Sequence, residues 1–254
     1  MLNYVKSELY RMLHSRGYLI FYGVCAIVLI LINLLFRGGS PIGDLGISMY
    51  LISQFLSIVG LLTICIADMV FSSGYKHQTL KNTLAYGCSR SQLFFGKFLT
   101  EVIVAFAVAG VVFGLFLGSG FLFLGNSPEI AVIVNNFMLA LLGCIPIWLG
   151  CLALAHLCLF LIRGDVAAGI AFAGLLVLPN TVLAFLGMLN GLREICITAR
   201  EYLLWNQYSN LLTAWHLQGE AIELSDLALP AVIGLAHMAV FLLIGLLLFK
   251  KKEI

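Results

Sequence analysis

The chain has 254 residues, of which 62% are hydrophobic and only 10% charged, with a formal net charge of +2. A soluble domain carries roughly half apolar and about a quarter charged residues, and a chain of this size has too little interior to hide the excess. That excludes a soluble enzyme, a disordered chain and a basic nucleic-acid module; a mean hydropathy of +1.07 predicts an all-α polytopic membrane protein, one transmembrane domain over residues 1–254.

Residues 1–17 are amphipathic. Leu2, Val5, Leu9, Met12 and Leu13 recur at helical spacing, while Asn3, Lys6, Ser7, Arg11 and His14 fall elsewhere on the wheel. This predicts a short helix lying in the membrane interface, acting either as an elbow to the first span or as a plain anchor. The apolar run Tyr18–Phe36 follows with no A-x-A-like cleavage site, and is expected to stay in the membrane as a signal anchor.

A helix needs roughly 20 apolar residues to cross about 30 Å of hydrocarbon. Six runs qualify: Tyr18–Phe36, Ile47–Val70, Phe98–Leu124, one within Ala131–Ile162, one within Val166–Leu189 and one within Leu227–Phe249. The fourth is too short for two spans and is expected to form one long helix, overhanging at Asn135 and Asn136 and kinked at Pro146, as Pro179 is expected to kink the fifth. Eleven of the 14 basic residues (Lys6, Arg11, Arg16, Lys76, Lys81, Arg90, Lys97, Arg163, Lys250, Lys251 and Lys252) fall on one set of flanks. The positive-inside rule then places both termini in the cytoplasm, which an even number of spans requires.

Between the second and third spans, the cytoplasmic loop 71–97 is expected to hold a short helix from Lys76 to Tyr86, with Leu80 and Leu84 one turn apart. Gly87 breaks it, and Ser89 followed by Gln92 reads as a capping box opening a new helix into span three. Arg90, Lys97 and Glu101 then share a face. Such a loop is either a docking knob for a cytoplasmic partner or an ordinary solvated connection.

Ionisable residues inside a membrane are functional candidates. Asp68 ends the second span and Glu101 begins the third; with Lys97 they read as hinge or salt-bridge residues near water. His156 in span four reads as a hydrogen-bonded packing residue, and His237 lies in span six. A proton- or sodium-driven carrier calls for a buried carboxylate near the midplane, and the sequence displays no obvious one. Gly110, Gly114 and Gly118 form a small-residue ridge in span three, for packing within the subunit or against a second one. The outer segment 190–228 carries the stripe Leu204, Tyr208, Leu211, Leu212 and Trp215, which suits the outer interface as a gate or a structural cap.

Of seven cysteines, Cys144, Cys151 and Cys158 are spaced by seven and read as small packing residues. No CxxC, H-E-x-x-H, G-x-S-x-G or P-loop is present, so neither a catalytic site nor a metal site is expected.

The stretch Tyr75-Lys76-His77-Gln78-Thr79-Leu80-Lys81-Asn82, then Gly87-Cys88-Ser89-Arg90, then Gly96-Lys97, resembles the loop between spans two and three of the type-2 ABC exporter permease family. Gly74 stands where that family usually has an acid, and Gln78 where it has glycine. The resemblance implies a coupling helix near Lys76–Tyr86, with Lys76, Thr79, Leu80, Lys81, Asn82, Leu84, Ser89 and Arg90 engaging a separate P-loop ATPase that binds ATP and Mg. It also implies a second permease subunit, identical or different, and short or re-entrant helices in the outer segment. The implied setting is a bacterial plasma membrane and the implied cargo an amphipathic peptide, an antimicrobial or a drug. The rival readings are a stand-alone secondary carrier or channel and an intramembrane enzyme.

Overall fold

The computed structural model describes residues 2–37, 41–76, 87–124, 128–162, 164–189, 191–217 and 223–251. Among these it is helical throughout, with no strand. In chain order the helices are α1 (Leu2–Leu13), α2 (Arg16–Leu35), α3 (Pro41–Lys76), α4 (Arg90–Leu124), α5 (Pro128–Leu161), α6 (Asp165–Leu186), α7 (Arg193–Glu201), α8 (Leu204–Leu217) and α9 (Ala228–Lys251). A 3-10 turn, Leu224–Leu227, leads into α9.

Five stretches are long and apolar enough to cross a membrane among the described residues: α2, α4, most of α5, α6 and the turn running into α9. The second expected run, Ile47–Val70, lies within the 36-residue α3; among its described residues the continuous apolar stretch is Ile58–Phe71. The fourth run is a single helix as expected, and neither Pro146 nor Pro179 ends its helix. The N-terminal and outer segments form helices α1, α7 and α8 where short helices were expected. The expected helix Lys76–Tyr86 is placed by residues outside those described, apart from Lys76, which closes α3.

Helix α5 is the axis of the bundle. Every residue from Cys151 to Phe160 is buried, and 56% of its most apolar window is covered by protein, against 11–22% for the other spans. Between apolar helices in lipid, close packing replaces the hydrophobic effect as the cohesive term. Small residues supply it here. Gly234 of α9 lies against the backbone of Pro146 and Ile147, and a Cβ at Gly150 would stand 3.1 Å from the Gly234 carbonyl oxygen. These two helices therefore meet nearly backbone to backbone, and they form the most extensive helix pair in the molecule.

Of the stripe on α8, Leu204, Tyr208 and Leu211 are buried against protein; they sit over Gly150, Gly60 and Gly143, respectively, in α5 and α3. The side chains of Leu212 and Trp215 lie outside those described. A stripe with aromatic ends fits either surroundings, and the glycines opposite these three residues place them in the interior. Polar ties complete the bundle. Asn33 of α2 donates to the Phe116 carbonyl (2.7 Å) and to Ser119 Oγ (2.8 Å), and accepts from Ser48 Oγ (2.6 Å), joining α2, α3 and α4. Trp148 Nε1 donates to Thr63 Oγ1 at 2.9 Å, joining α5 to α3.

Candidate site: a buried charge cluster between α1, α3, α4 and α5

The expected start of α4 is present in detail. Gly87 has φ +89°, a left-handed turn that favours glycine. The Ser89 amide donates to Gln92 Oε1 (3.1 Å) and the Gln92 amide donates to Ser89 Oγ (3.2 Å), the two halves of a capping box. Arg90 then reaches across to the last turn of α9. Its Nη1 donates to the carbonyls of Phe249 (3.1 Å) and Lys250 (3.0 Å), where a helix leaves carbonyls without partners and a cation is favourable.

The other root of the loop is held as firmly. The Val70 carbonyl, near the end of α3, accepts from Arg11 Nη2 and from Lys97 Nζ, each at 2.9 Å. Arg11 pairs with Glu8 on α1, and Lys97 Nζ lies 3.8 Å from the same carboxylate. Lys97 also sits 5.4 Å from the centroid of the Phe71 ring, within cation–π range. Its side chain has no exposure, which corrects its assignment to the solvated flank. A buried ammonium persists only with partners, and Lys97 has a carboxylate, a carbonyl and a ring. Burial, reinforced by the Glu8 charge, pushes the Tyr4 phenol above its ordinary value.

One turn deeper, Glu101 is also wholly buried, not near water as its position in the sequence implied. Its partner is His156 on α5. The imidazole Nδ1 lies 2.8 Å from Oε1 and 2.9 Å from Oε2, sharing a hydrogen bond with the carboxyl group. The rings of Phe94, Phe160 and Phe98 surround the imidazole at centroid distances of 4.6, 4.7 and 5.4 Å. His156 Nε2 is buried with no hydrogen-bond partner among the described residues. A fully buried carboxylate is therefore present, about three turns into α4 rather than at the middle of a span.

The predicted residues thus divide. Ser89, Arg90, Lys97 and Glu101 stand at one end of the bundle, with Asp68 half-buried on the last turns of α3. The side chain of Lys76, and Thr79, Leu80, Lys81, Asn82 and Leu84, lie outside the described residues. Sequence reasoning missed Glu8, although it is the sole acid among residues 1–17, and the pairing of Glu101 with His156. Among the described residues no group of three or more His, Cys, Asp or Glu side chains could hold a metal ion. The cluster can hold charges, exchange protons and link helices; it contains no activated nucleophile. No protein-family model matches the chain, and no curated protein matches it.

Proposed function

We propose that the chain is the six-span membrane subunit of an ATP-driven exporter. Both termini lie in the cytoplasm, a second permease subunit completes the pathway, and a separate P-loop ATPase docks on the loop centred on Lys76–Tyr86. The observation that carries this reading is that both roots of that loop are tied to other helices. Val70 is held by α1 and α4, and Arg90 holds the end of α9. A push on the loop therefore reaches α1, α3, α4 and α9 together, as a coupling element requires. ATP must bind one conformation better than the other for this to do work. The sparse surface charge of the spans suits an amphipathic peptide or hydrophobic antimicrobial as cargo. Vesicles bearing the chain with and without an ATPase subunit test the reading: export should need both the ATPase and ATP, and export by the chain alone refutes it.

The second reading is a stand-alone, ion-coupled carrier, and the buried Glu101–His156 pair favours it. Under that reading an imposed proton gradient drives transport without nucleotide.

A further inference from the structure

We propose that Glu101 and His156 together are a proton-binding site: the closed bundle keeps one proton between them, and parting of α4 from α5 releases it to water. The inference holds whichever energy source drives transport, since it concerns the linkage between a proton and a helix contact.

Three observations converge on it. Both side chains are fully buried, and the imidazole Nδ1 lies within 2.9 Å of both carboxylate oxygens. With one proton the pair is neutral overall, as carboxylate and imidazolium or as acid and imidazole. Removing the proton leaves an uncompensated negative charge, and adding a second leaves a positive charge one turn from Lys97; a dry site resists both. Second, Phe94, Phe98 and Phe160 close around the imidazole, and Phe249 of α9 and Phe71 of α3 pack against Phe160 in turn. No water path is needed to hold the proton, and an imidazolium is favoured among aromatic rings. Third, His156 Nε2 has no partner among the described residues: it is a lone donor when the ring is charged or accepts from the protonated acid, and a bare acceptor when Nδ1 carries the hydrogen of a neutral ring. Burial of such an atom carries a cost that a wetter conformation relieves.

The surrounding charges are few. On α4, Lys97 is the other described group whose charge acts on Glu101; Glu8 and Arg11 on α1 act on Lys97 in turn. The remaining charged or histidine residues with described side chains on or beside the packed helices include Lys6 and His14 by α1, Arg16 on α2, Asp68 on α3, Arg90 on α4, Asp165 on α6, and His237, Lys250 and Lys251 on α9. Once α4 and α5 part, water solvates either charge, and the open pair no longer needs its proton to stay neutral. Wherever the open form has shed that proton and the closed form keeps it, closure weakens as pH rises.

Hydrogen–deuterium exchange on the full chain in nanodiscs, between pH 5 and 8.5, reads this directly. Protection of residues 98–105 and 152–160 should fall as pH rises, by up to about tenfold per pH unit where the two forms differ by one proton, after correction for intrinsic exchange. Glu101→Gln retains an acceptor for Nδ1 but holds no proton; its protection should lose that slope. His156→Gln leaves Glu101 as a lone buried acid that keeps its proton in the dry closed form, so its protection should still fall with pH. Wild-type protection that is independent of pH across the range overturns the proposal whatever the variants do, and so does a slope that survives unchanged in Glu101→Gln.

Discussion

Replacing Gly234 by alanine tests the packing that organises the bundle. A Cβ there would overlap the backbone of Pro146 and stand 2.5 Å from the Ile147 nitrogen. Backbone atoms in a packed helix cannot rotate aside, so α9 must move off α5 along their whole contact. Overpacking costs about 1–3 kcal/mol, and a backbone obstacle puts this case near 3. Alanine returns about 1 kcal/mol through its helix preference, leaving a net loss of about 2 kcal/mol. The control is Gly114→Ala on the exposed ridge, where nothing lies within 4 Å of the added methyl; within this chain it should be neutral or stabilising by up to about 1 kcal/mol. Both can be measured by reversible unfolding in detergent or bicelles. A Gly234→Ala protein as stable as wild type would refute the close contact of α5 with α9. Marked destabilisation by Gly114→Ala would mean that a partner covers the ridge.

Further outcomes follow from the polar ties and from the loop. Asn33→Leu removes three interhelical hydrogen bonds; at about 0.6 kcal/mol each inside a membrane, unfolding measurements should show a loss of about 2 kcal/mol. Ser89→Ala removes half of the capping box and should cost about 1 kcal/mol, with faster hydrogen exchange confined to the first turn of α4. If Leu80 docks an ATPase, Leu80→Asp should leave insertion intact while hydrolysis runs without transport; unchanged coupling would count against docking.

The elements of the fold were legible because each long helix is written as an unbroken apolar run, and the start of α4 because Gly87, Ser89 and Gln92 act locally. The partners in the charge cluster were not. Lys97 and Glu101 stand one helical turn apart with opposite charges, and local spacing invites pairing them with each other. In the fold each finds its nearest partner on another helix. Glu101 meets His156, 55 residues away, and Lys97 meets Glu8 and the Val70 carbonyl. Such pairs depend on which helices become neighbours, and an apolar run does not encode its neighbour. Burial failed for the same reason. Lys97 and Glu101 lie at the edge of an apolar run, where side chains usually reach water, but α1 folds over that edge. The α8 stripe was visible as a stripe, while its destination was set by Gly60, Gly143 and Gly150 on helices distant in the sequence.

Under the proposed function, force enters through the loop whose roots are Val70 and Arg90, supplied by a separate ATPase. Transport by inside-out vesicles containing the full chain decides this, with the ATPase subunit present or absent and with ATP or an imposed proton gradient as the energy source. Uptake is expected only when the ATPase and hydrolysable ATP are both present. Uptake driven by the proton gradient in vesicles without the ATPase would contradict it and identify the chain as an ion-coupled carrier.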